Sequence, residues 1–187
     1  MKKIIIASML IASFSVTLNA QEKLKVNPTK STLHWYGYYT FYFGGHDGTI
    51  NIIEGHFIKT NEKITGGEFN IDMTSIKSTD VKNKKANKSL VNHLKDPDFF
   101  DVKKYPTAKV VITKVDYHDA THARIEANLT LKGVTKSINF QVEFNFEALT
   151  MTTKFKIDRT RWGVNYNSKM KDGAISDAIG FEVKLSL

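Results

Sequence analysis

The side chains able to do chemistry are few and scattered. The chain has six histidines (His34, His46, His56, His93, His118 and His122) and no cysteine. His118 and His122, in HDATH, have the i, i+4 spacing that on a helix would aim two imidazoles at one metal ion. This pair falls between two strand patterns, where the spacing sets no common direction, and a zinc site wants three or four converging ligands. His46 stands beside Asp47 and Gly48, but Asp-Gly favours a tight turn, so a turn is expected there rather than a catalytic pair. Asp98 and Asp101 bracket Phe99 and Phe100 in HLKDPDFFDVKKYP, and no third group nearby completes a reaction centre. G-x-S-x-G, H-E-x-x-H and a Gly-rich phosphate loop are all missing. The expectation is no catalytic residue, no metal, no cofactor, and a protein that is not an enzyme. Arg159 and Arg161, in IDRTRWGV, differ from the rest. A guanidinium matches phosphate oxygens in bidentate fashion, so the two could read a charged head group. A surface ion pair or a strand-end hydrogen bond is the competing role.

The elements that must position these residues follow a period of two. Ile138, Phe140, Val142, Phe144 and Phe146 alternate with Ser137, Asn139, Gln141, Glu143 and Asn145. Ala123, Ile125, Ala127, Leu129 and Leu131 alternate with Arg124, Glu126, Asn128 and Thr130. Leu149, Met151, Phe155 and Ile157 share one parity, as do Ile175, Ile179, Phe181, Val183, Leu185 and Leu187. Such alternation makes half-buried strands and favours antiparallel pairing. Thr49–Thr60 changes parity between Ile52 and Ile53, which predicts a bulge. With Ser31–Phe43 and Thr107–His118 the count reaches about eight strands, several roughly ten residues long. Asp72–Asp96 breaks the period and reads as short helices, with Asn87 as N-cap and a stop before Pro97. Eight long antiparallel strands closed on themselves enclose a space just wide enough for side chains or one small ligand. The fold class expected is all-β: an antiparallel eight-stranded barrel with a short helical insertion. Its apolar parity is placed inward rather than toward lipid, because Arg124, Glu126, Lys154, Lys156, Glu182 and Lys184 on the other parity suit a solvated face.

The 187 residues suffice for one domain. Lys2 and Lys3 followed by the apolar run Ile4–Val16 resemble a secretory leader, so residues 1–20 are expected to be a signal peptide and 21–187 the domain. The expected location is periplasmic or secreted, with no transmembrane segment once the leader is cleaved. The formal charge of +8 is spread along the chain, which with export argues against nucleic acid as a partner.

Several segments together resemble the YceI-like family of exported, lipocalin-like barrels. They are GGHDGTI (Gly44–Ile50), GGEFNIDMTSI (Gly66–Ile76), HLKDPDFFDVKKYPTAKVVITKV (His93–Val115), ANLTLKGVTKSINFQVEF (Ala127–Phe144) and IDRTRWGV (Ile157–Val164). The first strand, WYGYYTFYFGGH (Trp35–His46), departs from the family pattern by its excess of tyrosine and phenylalanine. The resemblance implies a barrel whose apolar lumen binds a long-chain amphiphile such as a polyisoprenoid, as carrier or by sequestration. The inward set is then Phe57, Phe69, Ile71, Val110, Ile112, Ile125, Leu129, Phe140, Phe144, Phe155, Phe181 and Val183. Candidates for the mouth and head group are Trp35, Phe99, Phe100, Arg159, Arg161 and Trp162. The alternative is a barrel filled by its own phenylalanines, acting in a stress response or through protein contacts without a lipid. Phe99 and Phe100 are expected to cap one barrel end, as a structural latch or as a lid.

Overall fold

The computed structural model describes residues 21–41, 43–166 and 175–187, so the expected leader at 1–20 lies outside the described residues. The strands are β1 (Glu22–Lys25), β2 (Thr32–Tyr39), β3 (Gly45–Thr60), β4 (Lys63–Ser78), β5 (Thr107–Tyr117), β6 (His122–Leu131), β7 (Val134–Asn145), β8 (Thr150–Asp158) and β9 (Ile175–Ser186). One helix, α1 (Lys84–Lys95), follows β4, and a 3₁₀ turn, Arg159–Trp162, follows β8. The sheet order is β1-β3-β2-β9-β8-β7-β6-β5-β4, all antiparallel, and β3 pairs with β4 to close it. β2 to β9 make the closed eight-stranded barrel expected from the alternation. β1 is an addition: it lies beside the second half of β3, where β2 has turned away.

Local chemistry sets the register. Asn61 and Glu62 (φ 49° and 63°) form the two-residue connection between β3 and β4, and Lys132 and Gly133 (φ 49° and 74°) the one between β6 and β7. Positive φ at both central residues matches the turn to the strand twist, and such tight loops fix which side chains face in. The bulge expected at Ile52–Ile53 is present: the ladder slips between Ile52 and Glu54, and Ile53 points to solvent, 47% exposed.

The helical reading of Asp72–Asp96 needs correction in its first third. Asp72–Ser78 continues strand β4. Met73 and Ile76 are both buried at a spacing of three, which in sequence looks helical. The spacing comes from a wide irregularity, in which β4 advances from Asp72 to Lys77 while β3 retreats only from Asn51 to Thr49. Asp72 folds the extra residues, accepting from Thr74 N at 2.9 Å and Thr74 Oγ1 at 2.5 Å. The helix N-cap is Asn83, not Asn87: its Oδ1 accepts from the amides of Lys85 and Ala86 at 3.0 and 3.1 Å. Asn87 instead donates to the carbonyls of Ser78 and Val81, which fastens α1 to the end of β4. His46 and Gly48 also lie within strand β3 rather than in a turn, since that strand already begins at Gly45.

α1, the segment after it and the 3₁₀ turn cover one barrel end. The other end is filled from within. Phe57 meets Phe69 edge-on at 5.1 Å and Phe144 at 6.1 Å, and Tyr117 stacks on Phe144. Burial of these rings, each ~150–250 Å², dominates the packing there.

Candidate ligand-binding site

Beneath the α1 cap the lumen holds a cavity of about 120 Å³. Its walls include Leu33, Trp35, Ile50, Met73, Leu131 and Ile179 from the strands, and its roof is Leu90, His93 and Leu94 of α1 with Phe99 and Phe100. A second void of about 60 Å³ lies among Phe69, Val110, Ile112, Ile125, Phe140, Phe155 and Val183. Leu33 and Ile71 border both, so the two are neighbours in one lumen.

The structure distributes the predicted lumen residues in three groups. Ile71, Leu129 and Phe181 border the larger cavity. Ile71 again, with Phe69, Val110, Ile112, Ile125, Phe140, Phe155 and Val183, borders the smaller. Phe57 and Phe144 border neither and form the floor. Phe140 and Phe155 are half-buried and stack at 4.6 Å, and Phe155 meets Phe181 at 5.4 Å. They stand where β7 and β8 part, because those strands share only three ladder pairs, Glu143–Asn145 with Thr150–Thr152.

The predicted mouth residues separate more sharply. Trp35 lines the cavity and donates its indole N–H to the Lys77 carbonyl at 3.1 Å. Phe99 and Phe100 are 5% and 7% exposed and form part of the roof. Backbone bonds hold them: Phe99 N to Asp96 O at 3.0 Å, Phe100 N to Leu94 O at 3.2 Å and Val102 N to Lys95 O at 3.0 Å. Trp162 is fully buried, with Nε1 donating to Leu129 O at 3.0 Å, and does not border the cavity. Arg161 lies on the surface and donates to Ser137 O. Arg159 borders the cavity, yet its guanidinium donates to the carbonyls of Ser176, Val164, Tyr166 and Ile175 and to Asp177. It ties the turn after β8 to the start of β9.

Polar side chains at the cavity escaped sequence reasoning, Tyr39, His46 and His93 among them. Tyr39 and His46 border it from β2 and β3. Tyr39 Oη lies 2.9 Å from His46 Nε2, and His46 Nδ1 lies 2.7 Å from Asp80 Oδ2. Asp80 also accepts from Ser78 Oγ at 2.9 Å and Asp47 N at 3.2 Å. Burial pushes the Asp80 carboxyl up, but these hydrogen bonds, that from His46 foremost, outweigh it and lower the pKa from 3.8 to about 2. His93 borders the cavity from α1, with its ring 4.3 Å from Tyr166 and 5.6 Å from Phe99. His93, Asp96 and Asp98 also stand close enough to share an ion, but both carboxylates are exposed, as acidic groups commonly are without one.

A profile of the YceI-like domain matches residues 24–187. The chain belongs to the YceI-like family. It is 34% identical over 100 residues to a UPF0312 protein of Pseudomonas putida (strain W619), covering 54% of this chain and 50% of that one. A UPF0312 protein of Staphylococcus aureus (strain USA300) is 27% identical over 107 residues, covering 52% and 58%. The chain thus spans about half the length of the curated relatives it matches. Among solved structures, Burkholderia cenocepacia BcnA superimposes with a TM-score of 0.70 at 18% identity, over 86% of this chain and 98% of that one. A Campylobacter jejuni YceI protein gives 0.50 at 17% identity, over 98% and 97%. These likenesses show a shared fold.

In this YceI-like barrel the segments that carry the family resemblance converge on the cavity. GGHDGTI supplies His46 and Ile50, and HLKDPDFF supplies His93, Leu94, Phe99 and Phe100. That convergence was the available signal for the histidines. Their chemistry stayed hidden because the partners come from distant segments: Asp80 for His46, and Tyr166 for His93.

Proposed function

We propose that this protein is a non-catalytic binding protein that holds the apolar tail of a polyisoprenoid or similar lipid in its lumen, as an exported carrier or by sequestration. The observation that carries the reading is the cavity under α1, walled by aliphatic and aromatic side chains and continuing toward a second void past Leu33 and Ile71. Each tail CH₂ moved from water to such a space is worth ~0.8 kcal/mol, and no directional group is needed to hold it. A pocket of this kind with a few convergent polar groups is the default location for a ligand.

The size of the voids favours a second reading. Ligand pockets run to about 300–1,000 Å³, whereas these hold about 120 and 60 Å³. In that reading the barrel is packed for its own stability and acts through its surface, in a stress response or by protein contacts. A long tail fits only if side chains yield, and Phe140, Phe155 and Phe181, which pack against the core only partly buried, are the first candidates.

Extraction of the purified protein with organic solvent, followed by mass spectrometry, separates the two. The carrier reading expects a reproducible chain lipid, or stoichiometric uptake of an added prenyl lipid. Protein that yields no lipid and takes up none sinks it. Export is tested separately by fractionating cells that express the full chain: recovery in the cytoplasm at full length overturns it.

A further inference from the structure

The aromatic run that leads from β2 toward β3 is only partly used by the fold. Six of the eight residues from Tyr36 to Phe43 are aromatic. Three have partners: Tyr36 Oη donates to Glu182 at 3.2 Å, Lys156 Nζ lies 4.5 Å from the centre of the Tyr38 ring, and Tyr39 bonds to His46. The ladder between the strands ends at Tyr38 with Gly45, and Tyr39 N donates to Gly44 O just beyond it. Past that point Phe41 and Phe43 stand in water. They are 70% and 106% exposed, the two most exposed large apolar side chains among the described residues. A lone exposed apolar residue is ordinary. Two phenylalanines held clear of the core at one place add nothing to stability and mark a contact surface.

A cationic cluster stands at the same end of the barrel. Asp80 holds His46 at 2.7 Å and the Asp47 amide at 3.2 Å, and Thr79 N donates to Asp47 O at 2.9 Å. The chain leaving β4 therefore runs beside the start of β3 before it enters α1. The residues that follow are VKNKKANK, in which Lys82, Lys84, Lys85 and Lys88 are all exposed. None of the four pairs with a carboxylate among the described residues, and the sequence holds no acid between Asp80 and Asp96. Asp47 and Asp80 are each taken by a histidine, His34 and His46. Lys84 and Lys85 open the first turn of α1, where the helix dipole favours negative charge and the helix has none. Their position works against the helix and suits an anionic partner.

We propose that this end of the barrel docks on the surface of an anionic lipid bilayer, with Phe41 and Phe43 among the head groups and the lysines of VKNKKANK against the lipid phosphates. Aromatic rings settle at the membrane–water interface. A lysine close to an anionic leaflet gains from its surface potential, within about one Debye length. A hydrated acidic protein surface would satisfy the lysines and leave the rings in water, whereas a bilayer takes both. The docking uses the outer surface alone and does not depend on what the lumen holds.

The test uses vesicles of equal parts phosphatidylcholine and phosphatidylglycerol, with phosphatidylcholine vesicles as the uncharged comparison, and protein in the form that expressing cells yield. Phe43→Trp adds a reporter at the surface, while Trp35 and Trp162 are buried. Lipids brominated on the acyl chain are expected to quench F43W well beyond wild type on the anionic vesicles and little on the uncharged ones. Affinities come from flotation with the same anionic vesicles. Phe41→Ser combined with Phe43→Ser is expected to weaken binding about tenfold or more. Lys84→Gln combined with Lys85→Gln is expected to weaken it about twentyfold. All four side chains are exposed, so melting should not change. Lys23→Gln combined with Lys25→Gln removes the same charge from β1, which lies beside the far end of β3, and should change affinity little. The proposal is overturned if F43W is quenched no more than wild type, if the serine pair binds as wild type does, or if the β1 lysines cost as much as those of α1. Binding to immobilised polyglutamate as tight as to vesicles, with F43W unquenched, overturns it in favour of an acidic protein partner. Each of these outcomes leaves the reading of the lumen where it stands.

Discussion

Asp80 receives three hydrogen bonds, from His46, Ser78 and the Asp47 amide, and its side chain is only 25% exposed. Its pKa is lowered from 3.8 to about 2. A depressed carboxylate stabilises the fold fully above the unfolded value and loses that contribution as pH falls through the folded one. Asp80→Asn should therefore cost about 1–2 kcal/mol at pH 7. The gap to wild type should close between about pH 4 and pH 2, as read from urea unfolding across that range. A gap that stays constant with pH would show that the carboxylate charge is not what Asp80 contributes. Arg159 acts differently, through directed donors. Arg159→Lys keeps the charge but cannot serve carbonyls spread from Val164 to Ser176, so a loss of about 2–4 kcal/mol is expected, measured by the same unfolding. Arginine in IDRTRWGV suggested phosphate because sequence reveals a guanidinium but not whether its donors are already engaged.

At the scale of elements, what was legible is what repeats. Alternation in β6, β7, β8 and β9 gave their faces, and the bulge at Ile52–Ile53 could be read from a parity change. Asp72–Ser78 misled because an irregular strand and a helix can bury residues at the same spacing. The difference lies in which backbone bonds which, and Asp72 settles that locally. The segment between α1 and β5 contributes two ring-bearing residues to the roof, on a backbone fixed by bonds to Leu94, Lys95 and Asp96. Phe99 and Phe100 meet edge-on at 4.8 Å, and Phe99 lies 6.0 Å from the Arg159 guanidinium carbon. Such contacts favour the latch. Phe99→Ala or Phe100→Ala should each lower stability by about 3–5 kcal/mol, seen as a large drop in melting temperature. Unchanged melting with faster release of a loaded lipid would instead make the segment a lid.

For the whole molecule, closure is uneven. β6 pairs with β7 from end to end and β8 with β9 likewise, but β7 and β8 share three pairs. Beyond those pairs, Thr153 Oγ1 donates to Gln141 O and Arg161 to Ser137 O, so side chains complete part of what a ladder would do. Amide exchange should therefore be fast for the amides of Val134–Gln141 that point toward β8 and slow for those that point toward β6. Equal protection of both sets would refute an open seam. The consequence reaches beyond exchange rates. A fully laddered barrel is a hoop of fixed circumference, because widening it anywhere breaks a row of hydrogen bonds. Here part of one join is made by side chains that can rotate, so beyond its three ladder pairs the girth can grow at that join while every other strand keeps its neighbours. The stacked rings of Phe140 and Phe155 sit on that join, and they act as the clasp of an otherwise inextensible belt.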